Sequence, residues 1–153
     1  MEPRLSIELV PRELWGESIA NRYPSQWRKL RVIAYARAGH QCEICGRTGS
    51  RRSASNPGGL EAHEIWAYDI SEDGTSGVQR LVRLIALCPQ CHACKHMGRS
   101  VTVLPPQVLA DLVGHFLAVN GMTREQYQRA TSEAMTKWEE RNKLSGRKIS
   151  RRS

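Results

Sequence analysis

Two Cys-x-x-Cys pairs constrain what this chain can fold into more than any other feature of its sequence. Cys42 and Cys45 make the first pair, and Cys88 and Cys91 make the second. Two such turns supply four thiolates to one ion in the tetrahedral arrangement that zinc prefers in structural sites. The sequence therefore predicts a structural zinc ion held by these four cysteines.

A fifth cysteine, Cys94, leaves the second pair open to another reading, because Cys91 and Cys94 have the same spacing. Pro89 favours a turn that begins at Cys88, and this turn places Cys94 inside the helix that follows. We expect Cys94 to be a small buried residue rather than a ligand. An odd number of cysteines in Cys-x-x-Cys turns favours metal binding over disulfides.

The same sequence predicts an intracellular, cytoplasmic protein without a membrane partner. No apolar run approaches the roughly 20 residues that cross a bilayer, and the N-terminus lacks the apolar core of a secretory signal. Thiols in a reducing compartment bind metals rather than form disulfides. A phage-encoded origin and the oligomeric state stay open.

The segment 46–87 separates the two pairs, and it is longer than the roughly 15–20 residues of a simple zinc ribbon, so an element must be inserted there. Residues 60–68 and 78–87 are rich in apolar and β-compatible types. The polar stretch 69–77 between them contains Gly, Asp and Ser. This pattern predicts a β-hairpin with a long polar loop.

Three histidines belong to the same frame. His63 lies on the first predicted strand. His92 and His96 lie four residues apart on the helix expected to begin at Pro89, so they project from one helical face. Three imidazoles with open positions suit a second divalent ion, such as Mg, Mn, Ni or Zn, with a catalytic role.

Helices are predicted on both sides of this core. An irregular arm with a short helix near 12–21 precedes an amphipathic helix that begins at the N-cap Ser25 and ends at Gly39. Four cations give this second helix a basic face: Arg28, Lys29, Arg31 and Arg37. The fold class is therefore α+β, a zinc-stapled hairpin and helix with flanking helices at both ends.

Toward the C-terminus, Gly98 is expected to end the histidine-bearing helix, and a short strand is expected at 101–104. A helix opened by Pro105 and Pro106 ends at Gly121, and His115 lies beside its apolar stripe as a surface or core-edge residue rather than a ligand. A last helix begins at a capping box formed by Thr123 and Gln126.

These elements divide the chain into four parts. Residues 1–38 form an arm and a helix, 39–98 form the zinc-binding core, 99–140 form a helical pair, and 141–153 form a basic flexible tail.

The charge favours a polyanionic partner. The chain has 23 Lys and Arg against 15 Asp and Glu, a formal net charge of +8. DNA is the simplest partner for this balance, and RNA is the alternative. The basic residues proposed to meet phosphates lie in a loop, on the core helix and in the tail: Arg51, Arg52, Lys95, Arg147, Lys148, Arg151 and Arg152. Solvated loop and tail cations are the competing interpretation.

The order Cys-x-x-Cys, hairpin strand with His63, then Leu-Cys-Pro-x-Cys-His and a short helix resembles the HNH endonucleases. These have the ββα-metal fold, here in the variant with a four-cysteine zinc site, and the resemblance covers 39–98. It implies a metal-dependent endonuclease that hydrolyses DNA phosphodiester bonds. The metal would stabilise the scissile phosphate and leaving oxygen, while a base on the first strand activates water. The alternatives are a non-catalytic zinc-stapled nucleic-acid-binding module and a protein-interaction module.

The resemblance implies catalytic roles for His63, Glu64, Arg83 and His92, in one of two matches. In the form Glu-x-His-His, similar to the colicin-type nucleases, His63 is a metal ligand together with His92 and His96, and Glu64 takes the place of the base. In the form Asp-His-Ile, His63 is the base and Ala62 replaces the neighbouring ligand. Arg83 stands at the position of the family's Asn, where an arginine would clamp a phosphate.

Overall fold

The computed structural model describes residues 4–49 and 59–143, together with the backbone of 149–152. The predicted phosphate contacts at Arg51, Arg52, Arg147 and Lys148 lie outside the described residues, and so do the side chains of Arg151 and Arg152.

A β-hairpin forms the centre of the fold, as predicted. Its strands β1 (Glu61–Ile70) and β2 (Gly77–Leu87) pair antiparallel, and β3 (Ile149–Arg152) pairs with β2 in parallel. Asp73 closes the polar loop by accepting hydrogen bonds from the hydroxyls of Ser71 and Thr75 at 2.7 and 2.8 Å. The α+β class is confirmed, although β3 lies within the segment predicted as a flexible tail.

The described ranges contain six α-helices. They are α1 (Ile19–Arg22), α2 (Pro24–Arg37), α3 (Pro89–Lys95), α4 (Met97–Val103), α5 (Pro106–Asn120) and α6 (Arg124–Asn142), and a short 3-10 turn covers Arg12–Leu14. A proline at the first helical position begins α2, α3 and α5, where its missing N–H has no intrahelical acceptor to lose. The predicted capping box of Thr123 and Gln126 begins α6, and Gly121 ends α5 with a φ of 61°.

Three local predictions are wrong. Ser25 is not the N-cap of α2, because Pro24 already occupies the first helical position. Residues 101–104 do not form a strand: the bonds from Ser100 N to His96 O and from Leu104 N to Ser100 O continue the helical pattern through α4. Gly98 lies inside α4 rather than at a helix end, and a Cβ there would lie 2.7 Å from Leu9 Cδ2.

The two faces of the hairpin pack against different helices, because side chains alternate along a strand. Ile85, the cross-strand partner of His63, belongs to the cluster that contains the cysteines and Phe116, so both residues lie on the face turned toward α3 and α5. Ala62 and Ala86 lie on the other face and pack against Tyr35 of α2. This alternation decides which strand residues can meet α3. None of the described helices has the length and apolar character that a membrane crossing requires.

Candidate metal centres

The four predicted zinc ligands meet. One sulfur from each of Cys42, Cys45, Cys88 and Cys91 lies within 4.8 Å of the others, which confirms the predicted grouping. The first turn is tight because Gly46 adopts a φ of 76° and donates its N–H to Cys42 O at 2.9 Å. In the second turn, Cys88 is the N-cap of α3, and its sulfur accepts the N–H of Cys91 at 3.4 Å.

The protonation of these thiols fits a cation between them. Hydrogen bonds from Cys88 and Cys91 lower the pKa of Cys42, whereas the contact with Cys42 raises the pKa of Cys88 to about 11. The first thiolate therefore opposes the formation of a second one. A divalent ion removes that opposition, and a closed set of four sulfurs is the donor set of structural zinc.

Cys94 stays outside this group, as predicted. Its side chain is fully buried, and its sulfur donates to Leu112 O at 3.6 Å. Burial, with a smaller contribution from Cys88, raises the pKa of the Cys94 thiol to about 12. Cys94 is therefore a protonated core residue beside the four-cysteine group.

Three imidazoles form a second group where β1 meets α3. His63, His92 and His96 each offer a ring nitrogen within 4.8 Å of the others, and their ring centroids are 4.8–5.3 Å apart. The Nε2 atoms of His92 and His96 are 3.1 Å apart. Burial, followed by the charges of His92 and His63, lowers the pKa of His96 to about 4. His96 is therefore neutral at pH 7, with one ring nitrogen unprotonated as a metal ligand requires.

Two carboxylates form hydrogen bonds with these imidazoles. Glu61 Oε2 lies 2.6 Å from His92 Nδ1, and this hydrogen bond lowers the pKa of Glu61 against the opposing effect of burial. Glu8 Oε2 lies 2.6 Å from His63 Nε2. Burial alone would raise the pKa of Glu8, but the bond to His63 and the charge of Lys95 lower it to about 2. Carboxylates bonded to the far nitrogen of ligating histidines are the usual support of metal sites.

The donor set narrows the choice of ion. Imidazole nitrogens suit Zn and Ni, whereas Mg prefers oxygen ligands. The four-cysteine group suits structural zinc, and the histidine group suits a second ion of the zinc or nickel type.

Glu64 and Arg83 do not join the histidines. Glu64 follows His63 directly and so lies on the opposite face of β1. Its two carboxylate oxygens accept from Ile19 N at 2.8 Å and from Trp66 Nε1 at 2.9 Å. Arg83 is half exposed and pairs with Glu43 of the first cysteine turn at 3.2 Å.

Lys95 is buried rather than available to a phosphate. Only 5% of its surface is exposed, and its ammonium donates to Ser6 Oγ and Glu8 Oε1, both at 2.8 Å. The prediction that Lys95 contacts nucleic acid does not fit these contacts.

Two residues near the metal groups have no signal in the sequence that assigns them there. Glu8 lies in the segment predicted as an irregular arm, 55 positions from His63. His115 was expected at a surface or core edge, and its Nε2 lies 3.2 Å from the sulfur of Cys91. Only the docking of the arm and of α5 brings these two residues to their sites.

The chain has no match among protein-family models, curated proteins or solved structures.

Proposed function

We propose that this protein is a metal-dependent endonuclease of the HNH type, which hydrolyses phosphodiester bonds in DNA. The observation that carries the proposal is the convergence of three imidazoles, from a hairpin strand, from α3 and from the C-cap of α3, beside a four-cysteine group. The net charge of +8 supports a polyanionic substrate.

In this proposal, His63, His92 and His96 hold the catalytic ion. When bound, such an ion stabilises the negative charge that develops on the scissile phosphate and the leaving oxygen. Glu61 orients His92 through its Nδ1, and burial keeps His96 neutral. The four cysteines and their zinc hold α3 against the end of the hairpin, so that both helical histidines face His63.

Glu64 is not part of the proposed machinery. A general base must reach the proton that it abstracts, and both oxygens of Glu64 are bonded on the far face of β1. Of the two family matches, the assignment of His63 as a ligand is retained, and the adjacent carboxylate is given a structural role at the start of α1.

The test is cleavage of supercoiled plasmid with Mg, Mn, Ni or Zn ions. We expect nicked or linear product for the wild type and loss of that product for His92→Ala. His40→Asn is the matched control, because His40 is an exposed histidine outside both groups and Asn tolerates its φ of 56°. Intact plasmid with the wild type under every ion would refute the nuclease proposal.

A second candidate is a nucleic-acid-binding module that does not cut. The engagement of Glu64 with α1 and of Arg83 with Glu43 favours it, because Glu64 then faces away from the histidines and the guanidinium of Arg83 is already paired with a carboxylate. This candidate predicts salt-sensitive duplex binding that survives His92→Ala and disappears for Cys88→Ala, since the fold needs its zinc.

A further inference from the structure

The N-terminal arm (residues 4–11) is docked against the helices that carry the metal groups. Leu5 is fully buried, and its backbone N–H and carbonyl bond to the side chain of Asn120 at 2.9 and 2.8 Å. Glu8 N donates to Lys95 O at 2.9 Å. The side chain of Leu9 packs against Gly98 at the position that a Cβ would occupy. Side chains of the arm thus have defined positions beside α3 and α4.

Glu8 is the residue of the arm that contacts the histidine group. One carboxylate oxygen contacts His63 Nε2 at 2.6 Å, and the other accepts from the ammonium of Lys95 at 2.8 Å. Lys95 and His63 are 5% and 4% exposed. A carboxylate pinned between a buried ammonium and a buried imidazole cannot turn freely, so it constrains the ring that it contacts.

The contact decides which ring nitrogen carries the proton. An ionised carboxylate only accepts hydrogen bonds, so the neutral ring of His63 carries its hydrogen on Nε2 and keeps the lone pair on Nδ1. Glu61 favours the other tautomer in His92. It accepts a hydrogen bond from Nδ1–H, so the neutral ring has an unprotonated Nε2 that lies toward His96.

We propose that Glu8 is a positioning residue of the histidine site, which holds His63 as the Nε2–H tautomer so that Nδ1 is the nitrogen offered to the metal. This inference rests on the metal site of the proposed function. The site then takes Nδ1 from His63 of β1, Nε2 from His92 of α3 and Nε2 from His96, the C-cap of α3, while the arm sets the tautomer of His63.

The test compares variants that separate the imidazole contact from the ion pair. Lys95→Met removes the ammonium but leaves Glu8 on His63. The double variant Glu8→Ala/Lys95→Met removes both groups without leaving a buried charge unpaired. Glu8→Gln keeps an oxygen that can still accept from Nε2–H. Each full-length protein is loaded with zinc at the four-cysteine site, and its thermal unfolding is recorded as a control for the fold.

Two measurements follow on these proteins. Imidazole ¹⁵N–¹H correlation spectra should show the Nε2–H tautomer of His63 in the wild type, Lys95→Met and Glu8→Gln, and a tautomer mixture in the double variant. Calorimetric titration with Ni²⁺ should show roughly 10- to 100-fold weaker binding for the double variant. Lys95→Met should lie between the wild type and the double variant, because Glu8 keeps its contact with His63 but loses the ammonium that fixes its other oxygen.

Equal Ni²⁺ affinity and an unchanged His63 spectrum in the double variant would overturn the proposal. Coordination of added Zn²⁺ through His63 Nε2, seen as a shift of that resonance, would also overturn it, because Glu8 would then compete with the metal or join it as a ligand. Neither readout uses DNA. If the wild type leaves plasmid intact but the spectra and Ni²⁺ affinities are as expected, only the nuclease proposal is refuted. If the wild type cleaves plasmid but the double variant has the wild-type His63 spectrum and Ni²⁺ affinity, only the role of Glu8 is refuted.

Discussion

Cys91 and Cys94 allow a matched test of the structural zinc site. Both lie on α3, and both are fully buried. Replacing either with Ala removes one sulfur from the same core, at a packing cost of about 1 kcal/mol. Only Cys91 belongs to the four-sulfur group. Structural zinc contributes roughly 10–16 kcal/mol to the folding of small domains, or about 3 kcal/mol for each of four ligands. Cys91→Ala should therefore cost about 4 kcal/mol, against about 1 kcal/mol for Cys94→Ala.

The assay has two parts. Competition with a chromogenic chelator should show zinc binding about 100-fold weaker for Cys91→Ala than for Cys94→Ala, because 3 kcal/mol is slightly more than two factors of ten. Urea unfolding followed by circular dichroism should show the larger stability loss for Cys91→Ala. In excess chelator both variants are metal-free, and their unfolding midpoints should converge.

Equal zinc affinity of the two variants would refute the assignment. If zinc binding is about 100-fold weaker in both variants, Cys91 and Cys94 form the second Cys-x-x-Cys turn, which is the pairing that the spacing alone leaves open. A larger loss for Cys94→Ala would place Cys94 rather than Cys91 among the ligands. A difference in urea midpoints that persists in excess chelator would show that packing rather than zinc separates them.

Three further outcomes are expected. The pKa of His96 falls from 6.5 to about 4 on folding, so between these pH values only the unfolded chain binds the proton. Lowering the pH from 7 to 5 should therefore reduce the free energy of unfolding of the zinc-loaded protein by about 2 kcal/mol in urea titrations. The His96→Ala variant should lose this pH dependence. Glu64→Ala removes two hydrogen bonds at α1 and should lower the free energy of unfolding by about 1–2 kcal/mol, with unchanged Ni²⁺ affinity in calorimetry; a loss of affinity would return Glu64 to the metal site. His115→Ala should weaken zinc retention by roughly 10- to 100-fold in chelator competition, whereas His115→Gln, which keeps an N–H donor, should retain zinc better; equal retention would show that the contact with Cys91 is only packing.

The hairpin, the helix after it and both metal groups are predictable because their signals are local or strongly typed. Cys-x-x-Cys turns bring two sulfurs together whatever surrounds them, and histidines four apart share a helical face. The helix that begins at Pro106 and the capping box at Thr123 follow from the same short-range chemistry. The failed strand at 101–104 shows the limit, because Val101 and Val103 favour a strand while the bonds at Ser100 extend a helix.

The roles of neighbouring residues are less predictable, because adjacent side chains in a strand point to opposite faces. The family match treats His63 and Glu64 as partners in one site. In the fold, His63 faces α3, and Glu64 faces the start of α1. Which of two adjacent residues reaches a site depends on which helix covers each face of the sheet.

The sequence by itself predicted two groups of candidate metal ligands, four thiols and three imidazoles. Spacing and residue type carry that information, because the turns and the helical face are formed by near neighbours. Only the tertiary structure decided what orients those side chains. Glu8 and His115 lie far along the chain from His63 and Cys91, and they contact them because the arm and α5 pack against the same buried cluster. Such contacts depend on the packing of the whole core, and no periodic pattern in the sequence predicts them.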